Sequence, residues 1–466
     1  MDTAGRWKLC KVLMLLGCSL VLLLLPAAPA FAGNMPHGYA VMWDGGQQIV
    51  LGSLGGLNSR ALDINRAGAV VGWADTALGG KPDVHAFLWQ NGVMTDLGTL
   101  GGPDSCAYSI NDRGKVAGVA QDEDGEWHAV IWYQGSVTDL GVIGPNGLYP
   151  MDADYSFIPR VLGSSSTPYQ KNYLINARGS VAGDLDSIPD NLLAWHAFFW
   201  AGGLFHDIGT LGANPWSVNG SFAAALNNLG RVVGYSSFPG ADPPLDPPYG
   251  GFRAFSWTSS GGLQSLPPLK GYSFSEAWAV NDLGLVAGVS YSILSSAGSV
   301  SGAAGDAAGP TFGDSPGRAT VWRGASPLSL GTLGGTFSKA VGINSRNDVI
   351  GVSTTKVLEE QHAFLKAVSI LDFFKGLGWL PLKPMQDLGT LGGLTSYPND
   401  LNYSRQVVGF SKAPIANPTA ASFVDHAFLW QGGVMTDLAP DDGLSEATAI
   451  NAGGQVVGYL YPHVDK

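Results

Sequence analysis

The chain reads as an all-β fold, a β-propeller of about eight four-stranded blades, on three observations. Four short phrases each recur eight times, glycine-rich turns separate them, and the phrases at the two ends of the chain complete one another. The first phrase is HAFLW or a relative, beginning at Tyr39, His85, His128, His196, Arg253, Arg318, His362 and His426. The second is DLGTLGG, at Leu51, Asp96, Asp139, Asp207, Leu330 and Asp387, degraded near Leu266 and Asp437. The third, A-x-x-I-N, ends in Asn65, Asn111, Asn176, Asn227, Asn281, Asn344, Asn402 and Asn451. The fourth is VVG or a variant, starting at Val70, Val116, Val181, Val232, Val286, Val349, Val407 and Val456.

Each phrase is a short run of alternating or β-branched residues bounded by glycine, which is a strand signal. Asn91-Gly92 and Gly432-Gly433 predict tight hairpins between the first phrase and the second. DRG, ARG, NLG, DLG and AGG predict a second tight turn with a left-handed glycine. The asparagines lie 46, 65, 51, 54, 63, 58 and 49 residues apart, a blade plus loops of varying length. Counted from the first phrase, the repeats span about 37–74, 85–120, 128–183, 196–235, 252–289, 318–353, 362–410 and 426–460, within one domain over 33–466. If a blade runs AIN, VVG, HAFLW, DLG, one blade takes two strands from each end of the chain and closes the ring without a free edge. The alternative is an open solenoid, against which stands the lack of an atypical capping repeat.

Residues 1–32 read as a signal peptide: Arg6, Lys8 and Lys11 precede an apolar run that ends in Ala30-Phe31-Ala32. A lipid anchor on Cys18 and an uncleaved anchor over 12–25 are the alternatives. Export follows, to the extracellular space, the periplasm or the cell surface, with no stable membrane span after cleavage. The remainder carries 22 basic and 36 acidic residues, so nucleic acid is a poor partner. Its only cysteine is Cys106, which excludes an internal disulfide.

The HAF triplet at His85, His196, His362 and His426 resembles that of the HAF-repeat family of probable extracellular repeat proteins, over nearly all of residues 37–460. The resemblance implies an exported repeat protein and carries no catalytic motif. The chain departs from the pattern at 366–386, where Lys366 replaces the tryptophan and an apolar insertion splits a blade.

Repeated positions read as structural. His85, His128, His196 and His426, with the Asp of DLG or Asn111, Asn176, Asn227 and Asn451, are expected to satisfy buried polar groups within a blade. Trp89, Trp132, Trp200 and Trp430 are expected between blades. A ring of histidine metal ligands is excluded because equivalent positions lie far apart.

Connections from VVG to HAFLW and from DLG to the next AIN hold nearly all the insertions: 74–84, 145–170, 184–195, 236–251, 290–317 and 411–425. Scaffolds place recognition on such a variable face. The binding candidates there are Tyr149, Asp152, Asp154, Tyr155, Arg160, Asp184, Asp186, Asp190, Trp195, Trp216, Asp242, Asp246 and Tyr249, with Tyr291, Phe238, Phe157 and Phe312 as further loop aromatics. No cofactor is expected beyond calcium, which the spacing of the loop aspartates and of DEDG at Asp122 allows. No His-Glu-x-x-His, Cys-x-x-Cys or P-loop occurs. The first reading is therefore a non-enzymatic scaffold that binds an extracellular glycan, envelope component or protein. The alternatives are a polysaccharide hydrolase or lyase on the same scaffold and a purely structural envelope protein.

Overall fold

Eight blades of four antiparallel strands make an eight-bladed β-propeller in the computed structural model, which describes residues 38–77, 83–142, 174–186, 194–212, 219–238, 252–292, 316–357, 360–369, 371–373, 383–414, 423–441 and 443–462. Blade 1 runs Ser59–Ile64, Val70–Asp75, Val84–Gln90 and Val93–Asp96, so the AIN, VVG, HAFLW and DLG phrases are its four strands in order. Blades 2 to 7 repeat that order over 101–142, 174–207, 219–266, 274–329, 338–387 and 396–437. Blades 3 and 4 also meet in a short parallel pairing of Ala194 and Trp195 with Asn219 and Gly220.

Blade 8 is the splice that the sequence predicts. Ser445–Ile450 and Val456–Leu460 pair with Tyr39–Asp44, and that strand pairs with Gln47–Gly52. Strands from the two chain ends thus share one sheet, and the open solenoid is ruled out. Pro36–Lys466 forms one compact unit. The signal-peptide region lies outside the described residues, among which no helix is long and apolar enough to cross a membrane.

The first strands touch one another in a closed cycle, which places them around the axis and the fourth strands at the rim. A β-bulge recurs in the first strand. In blade 1, Ala61 faces Gly72, and a Cβ on Gly72 would come within 1.9 Å of the Arg60 carbonyl oxygen. The glycine of VVG is therefore fixed by close backbone approach, and six other blades repeat the contact.

Two polar systems bind blade to blade. At one end of the ring, each asparagine side chain donates to the backbone carbonyl of the next: Asn65 to Asn111 at 3.2 Å, Asn111 to Asn176 at 3.0 Å, and so on round to Asn402 to Asn451 and Asn451 to Asn65, both at 3.1 Å. The expectation that these asparagines act within a blade is corrected here. Their Oδ1 atoms do cap the local turn, as where Asn65 accepts from Ala67 and Ala69, but their amide groups cross the interface.

At the other end a serine six residues before the asparagine links the blades. Ser105 Oγ accepts from the Ala86 N–H and donates to the Gly98 carbonyl, both in the preceding blade. Ser59, Ser221, Ser275, Ser338 and Ser396 make the same pair of bonds.

Trp132 and Trp430 pack between blades. Trp132 joins Val71 and Ala86 of blade 1, and Trp430 joins Ile350 and Leu365 of blade 6. Lys366, which stands in the tryptophan position, is buried and donates to the Leu330 carbonyl of the preceding blade at 3.1 Å. A charged head thus replaces the Trp322 indole, which makes the equivalent reach to the Pro267 carbonyl at 2.7 Å.

Candidate functional site

Each repeated histidine is paired with an aspartate of its own blade. His85, His128, His196, His362 and His426 each place Nδ1 2.7–3.0 Å from Asp96, Asp139, Asp207, Asp387 and Asp437 of the same blade. The bond from His196 holds the Asp207 carboxyl below its usual range. Where histidine is replaced the aspartate goes too: Arg253 and Arg318 accompany Ser265 and Ser329, and Tyr39 accompanies Val50. The pair survives the insertion of blade 6, with His362 and Asp387 25 positions apart in sequence instead of 11. That insertion leaves between third and fourth strands, on the end of the asparagine ring.

The long connections emerge at the opposite end, as the strand order requires. Tyr149, Asp152, Asp154, Tyr155, Phe157, Arg160, Asp190, Trp216, Asp242, Asp246, Tyr249 and Phe312 lie outside the described residues. Asp184, Asp186 and Trp195 are corrected from loop to strand: Val181–Asp186 and Ala194–Ala201 pair through Asp184↔Ala197 and Asp186↔Trp195. Asp184 accepts the Ala223 N–H of the next blade at 2.6 Å, and its shielded position pushes its carboxyl up to about 8. Tyr291 is also corrected from a loop: it ends the strand Leu285–Tyr291, is buried, and donates to Glu276 Oε1 at 2.9 Å. Phe238 lies under the guanidinium of Arg253, 4.4 Å from its ring centre.

Aligning the repeats on their asparagines exposes what the phrases hide. Position −4 is alanine in six of the eight repeats, whereas position −5 reads Arg60, Cys106, Lys171, Phe222, Glu276, Lys339, Tyr397 and Glu446. Position −3 varies as widely, with Leu62, Tyr108, Tyr173, Ala224, Trp278, Val341, Asn399 and Thr448. In every blade but the third, where 171–173 lie outside the described residues, these positions belong to the axial strands at the long-loop end. The chain holds its framework constant and varies its chemistry there, a signal that was available from sequence and that phrase-matching does not see.

The described side chains gather around two glutamates. Glu446 takes Tyr459 OH at 2.6 Å and Asn399 Nδ2 at 2.9 Å, with the Arg60 guanidinium 3.6 Å away and 4.0 Å over the Tyr459 ring. Glu276 takes Tyr291 OH and, at 3.1 Å, Trp278 Nε1, which fixes the indole plane. The Lys339 ammonium sits 3.6 Å over that indole, and Tyr235 packs 5.6 Å from it. Burial draws the lysine below its usual range against the opposing pull of Glu276. Burial, helped by the neighbouring carboxylates, raises Tyr291 and Tyr459. Trp278, Lys339, Asn399 and Glu446 keep partial exposure, while Arg60, Leu62, Cys106 and Tyr108 are buried. Fixed aromatic faces, amide and ammonium donors and carboxylate acceptors are the chemistry of ligand recognition.

A Gly-x-Ser-x-Gly pattern occurs once, at 313–317. Residues 313–315 lie outside the described residues, and the pattern ends in the strand Gly317–Arg323, where a nucleophile elbow leads into a helix.

No protein-family model and no curated protein matches the chain. Among solved structures it is similar to an acylaminoacyl peptidase of Pyrococcus horikoshii, at 10% identity and a TM-score of 0.41, over 82% of this chain and 52% of that one. It therefore spans about half the length of that peptidase. TolB of Acinetobacter baumannii matches at 10% identity and 0.33, over 84% and 79%. Virginiamycin B lyase of Staphylococcus aureus matches at 11% identity and 0.33, over 75% and 92%. At these scores the likenesses carry no functional argument.

Proposed function

We propose that this chain is an exported, non-enzymatic binding scaffold of the HAF-repeat kind, which takes an extracellular glycan, envelope component or protein at the long-loop end of the ring. The observation that carries the reading is the division of the ring into two ends. One is fixed by eight identical asparagine links and tight turns, and the other holds the varied axial positions and the long connections. Within the glycan arm, the Lys339 ammonium held over the Trp278 indole favours a sugar with an anionic or hydroxyl substituent.

A thermal-shift screen of the purified protein against soluble oligosaccharides and envelope extracts tests this. A ligand at about 100 times its dissociation constant adds about 2.7 kcal/mol, or roughly 3 °C for a chain of this size. Absence of any shift across both panels counts against it and favours the structural role. A second reading, a polysaccharide hydrolase or lyase, draws on Asp184, whose raised carboxyl stays protonated near neutrality as a general acid must. Turnover of a polymer that is lost in Asp184→Asn would establish it in place of the first.

A further inference from the structure

The turn between the second and third strands of blade 2 brings together groups found at no other repeated histidine among the described residues. Asp122 ends the strand Val116–Asp122, and its Oδ1 accepts the N–H groups of Asp124 and Glu126 at 3.0 and 2.8 Å. Its other oxygen faces His128 Nε2 at 3.2 Å, and His128 Nδ1 lies 2.9 Å from both oxygens of Asp139. With Nδ1 donating to Asp139, the neutral imidazole turns the Nε2 lone pair toward Asp122, a second acceptor, whereas the imidazolium donates to both carboxylates. Among the described residues the Glu126 carboxylate makes no hydrogen bond or ion pair, and one ligand atom each from Asp122, Glu126 and His128 lie within 4.8 Å of one another. No arginine or lysine pairs with these carboxylates among the described residues. Gln121, whose amide donates to the Gly125 carbonyl of the same turn, leaves its Oε1 buried without a donor. With the imidazole neutral, the three converging atoms of Asp122, Glu126 and His128 are all acceptors. A second proton on the imidazole satisfies two of the three converging atoms, whereas a cation satisfies all three.

We propose that Asp122, Glu126 and His128 form a site for one divalent transition-metal ion of the zinc class. Asp139 acts behind His128 as the positioning residue, fixing the tautomer that leaves Nε2 free for the metal. One imidazole nitrogen with two carboxylate oxygens suits zinc and its first-row neighbours, and disfavours calcium, which selects oxygen. His128 is buried while Asp122 and Glu126 are partly exposed, so the ion is held at the surface with positions open to water or a ligand. The turn belongs to the variable end of the ring.

The test is titration of the chelator-stripped full chain with Zn²⁺ and Ca²⁺ by calorimetry and with Co²⁺ by visible absorption. One equivalent of Zn²⁺ is expected, with d–d bands from Co²⁺ and much weaker Ca²⁺ binding. Glu126→Gln and His128→Gln should each weaken Zn²⁺ by at least about tenfold. Asp139→Asn should do so by about 10- to 100-fold and alter the Co²⁺ spectrum, while His85→Gln, at the equivalent pair of blade 1, leaves both unchanged. Failure of Zn²⁺ to saturate a single site, or binding indifferent to Glu126→Gln and His128→Gln, overturns the proposal. Equal loss in His85→Gln does so as well, by revealing a general effect on the fold.

Discussion

Replacing Asn227 by alanine should cost about 3 kcal/mol. The side chain donates to the Asn281 carbonyl of the next blade at 3.0 Å and accepts from the N–H groups of Leu229 and Arg231 at 3.0 and 2.9 Å, all within a buried ring. Three hydrogen bonds at about 1 kcal/mol each give the estimate, and the two stranded N–H groups push it upward. The Asn281 carbonyl is not stranded, because it also accepts from Gly284. Asn227→Asp keeps both accepted bonds, loses the one that crosses the interface, and sets a carboxylate against a carbonyl, so it should cost about half to all as much. Asn228→Ala is the control: its two side-chain bonds, Nδ2 to Asp282 and Oδ1 from the Ala177 N–H of the preceding blade, are both exposed, and their loss together should be worth under about 1 kcal/mol. Urea melts followed by fluorescence would read the three variants as shifts in midpoint at unchanged slope. If Asn227→Ala and Asn228→Ala lie within about 0.5 kcal/mol of each other, the asparagine ring is decoration and the reasoning fails.

Three further outcomes follow from the same geometry. Deleting residues 33–56 removes two strands of blade 8 and bares the edge Val456–Leu460, so the protein should unfold as a whole; a mild, local loss in hydrogen exchange would contradict closure. Asp184 binds its proton more tightly when folded, near 8 against a usual 3.8, so its contribution is full below about pH 4 and declines as pH rises to about 8. The melting temperature of Asp184→Asn relative to wild type should therefore rise across that window, and a difference independent of pH refutes the assignment. Burial pushes the Cys106 thiol up, so in protein cleaved after Ala32 a thiol reagent should label it only on unfolding; rapid labelling in native buffer would show the blade 2 interface to be open.

The architecture was legible in the sequence because each strand carries its own phrase and the order of phrases sets the sheet order. The asparagines announced a turn, and their Oδ1 atoms do make one. Their partners across the interface were not readable, since the carbonyl that each amide meets lies 46 to 65 residues on, or 386 back for Asn451, and is chosen by blade packing. Ser105 and its equivalents stood in plain view at a fixed spacing but inside glycine-rich text that reads as loop. Asp184, Asp186 and Trp195 read as loop residues in the sequence because the insertion between them hides how far each strand extends. The cluster at Asp122 needed two facts the sequence keeps apart: that the DEDG turn folds back on His128, and that Asp139 already occupies the other ring nitrogen.

The most direct test of the account is to find where a ligand binds. A ligand recovered from the thermal-shift screen would be titrated against wild type, against a variant with 145–170, 184–195 and 236–251 shortened to tight turns, and against one with the blade 6 insertion at 366–386 shortened on the opposite end. The account predicts that the first variant loses the ligand while keeping its ring, and that the second binds like wild type. Binding retained by the first variant and lost by the second would place recognition on the end held by the asparagines and contradict it.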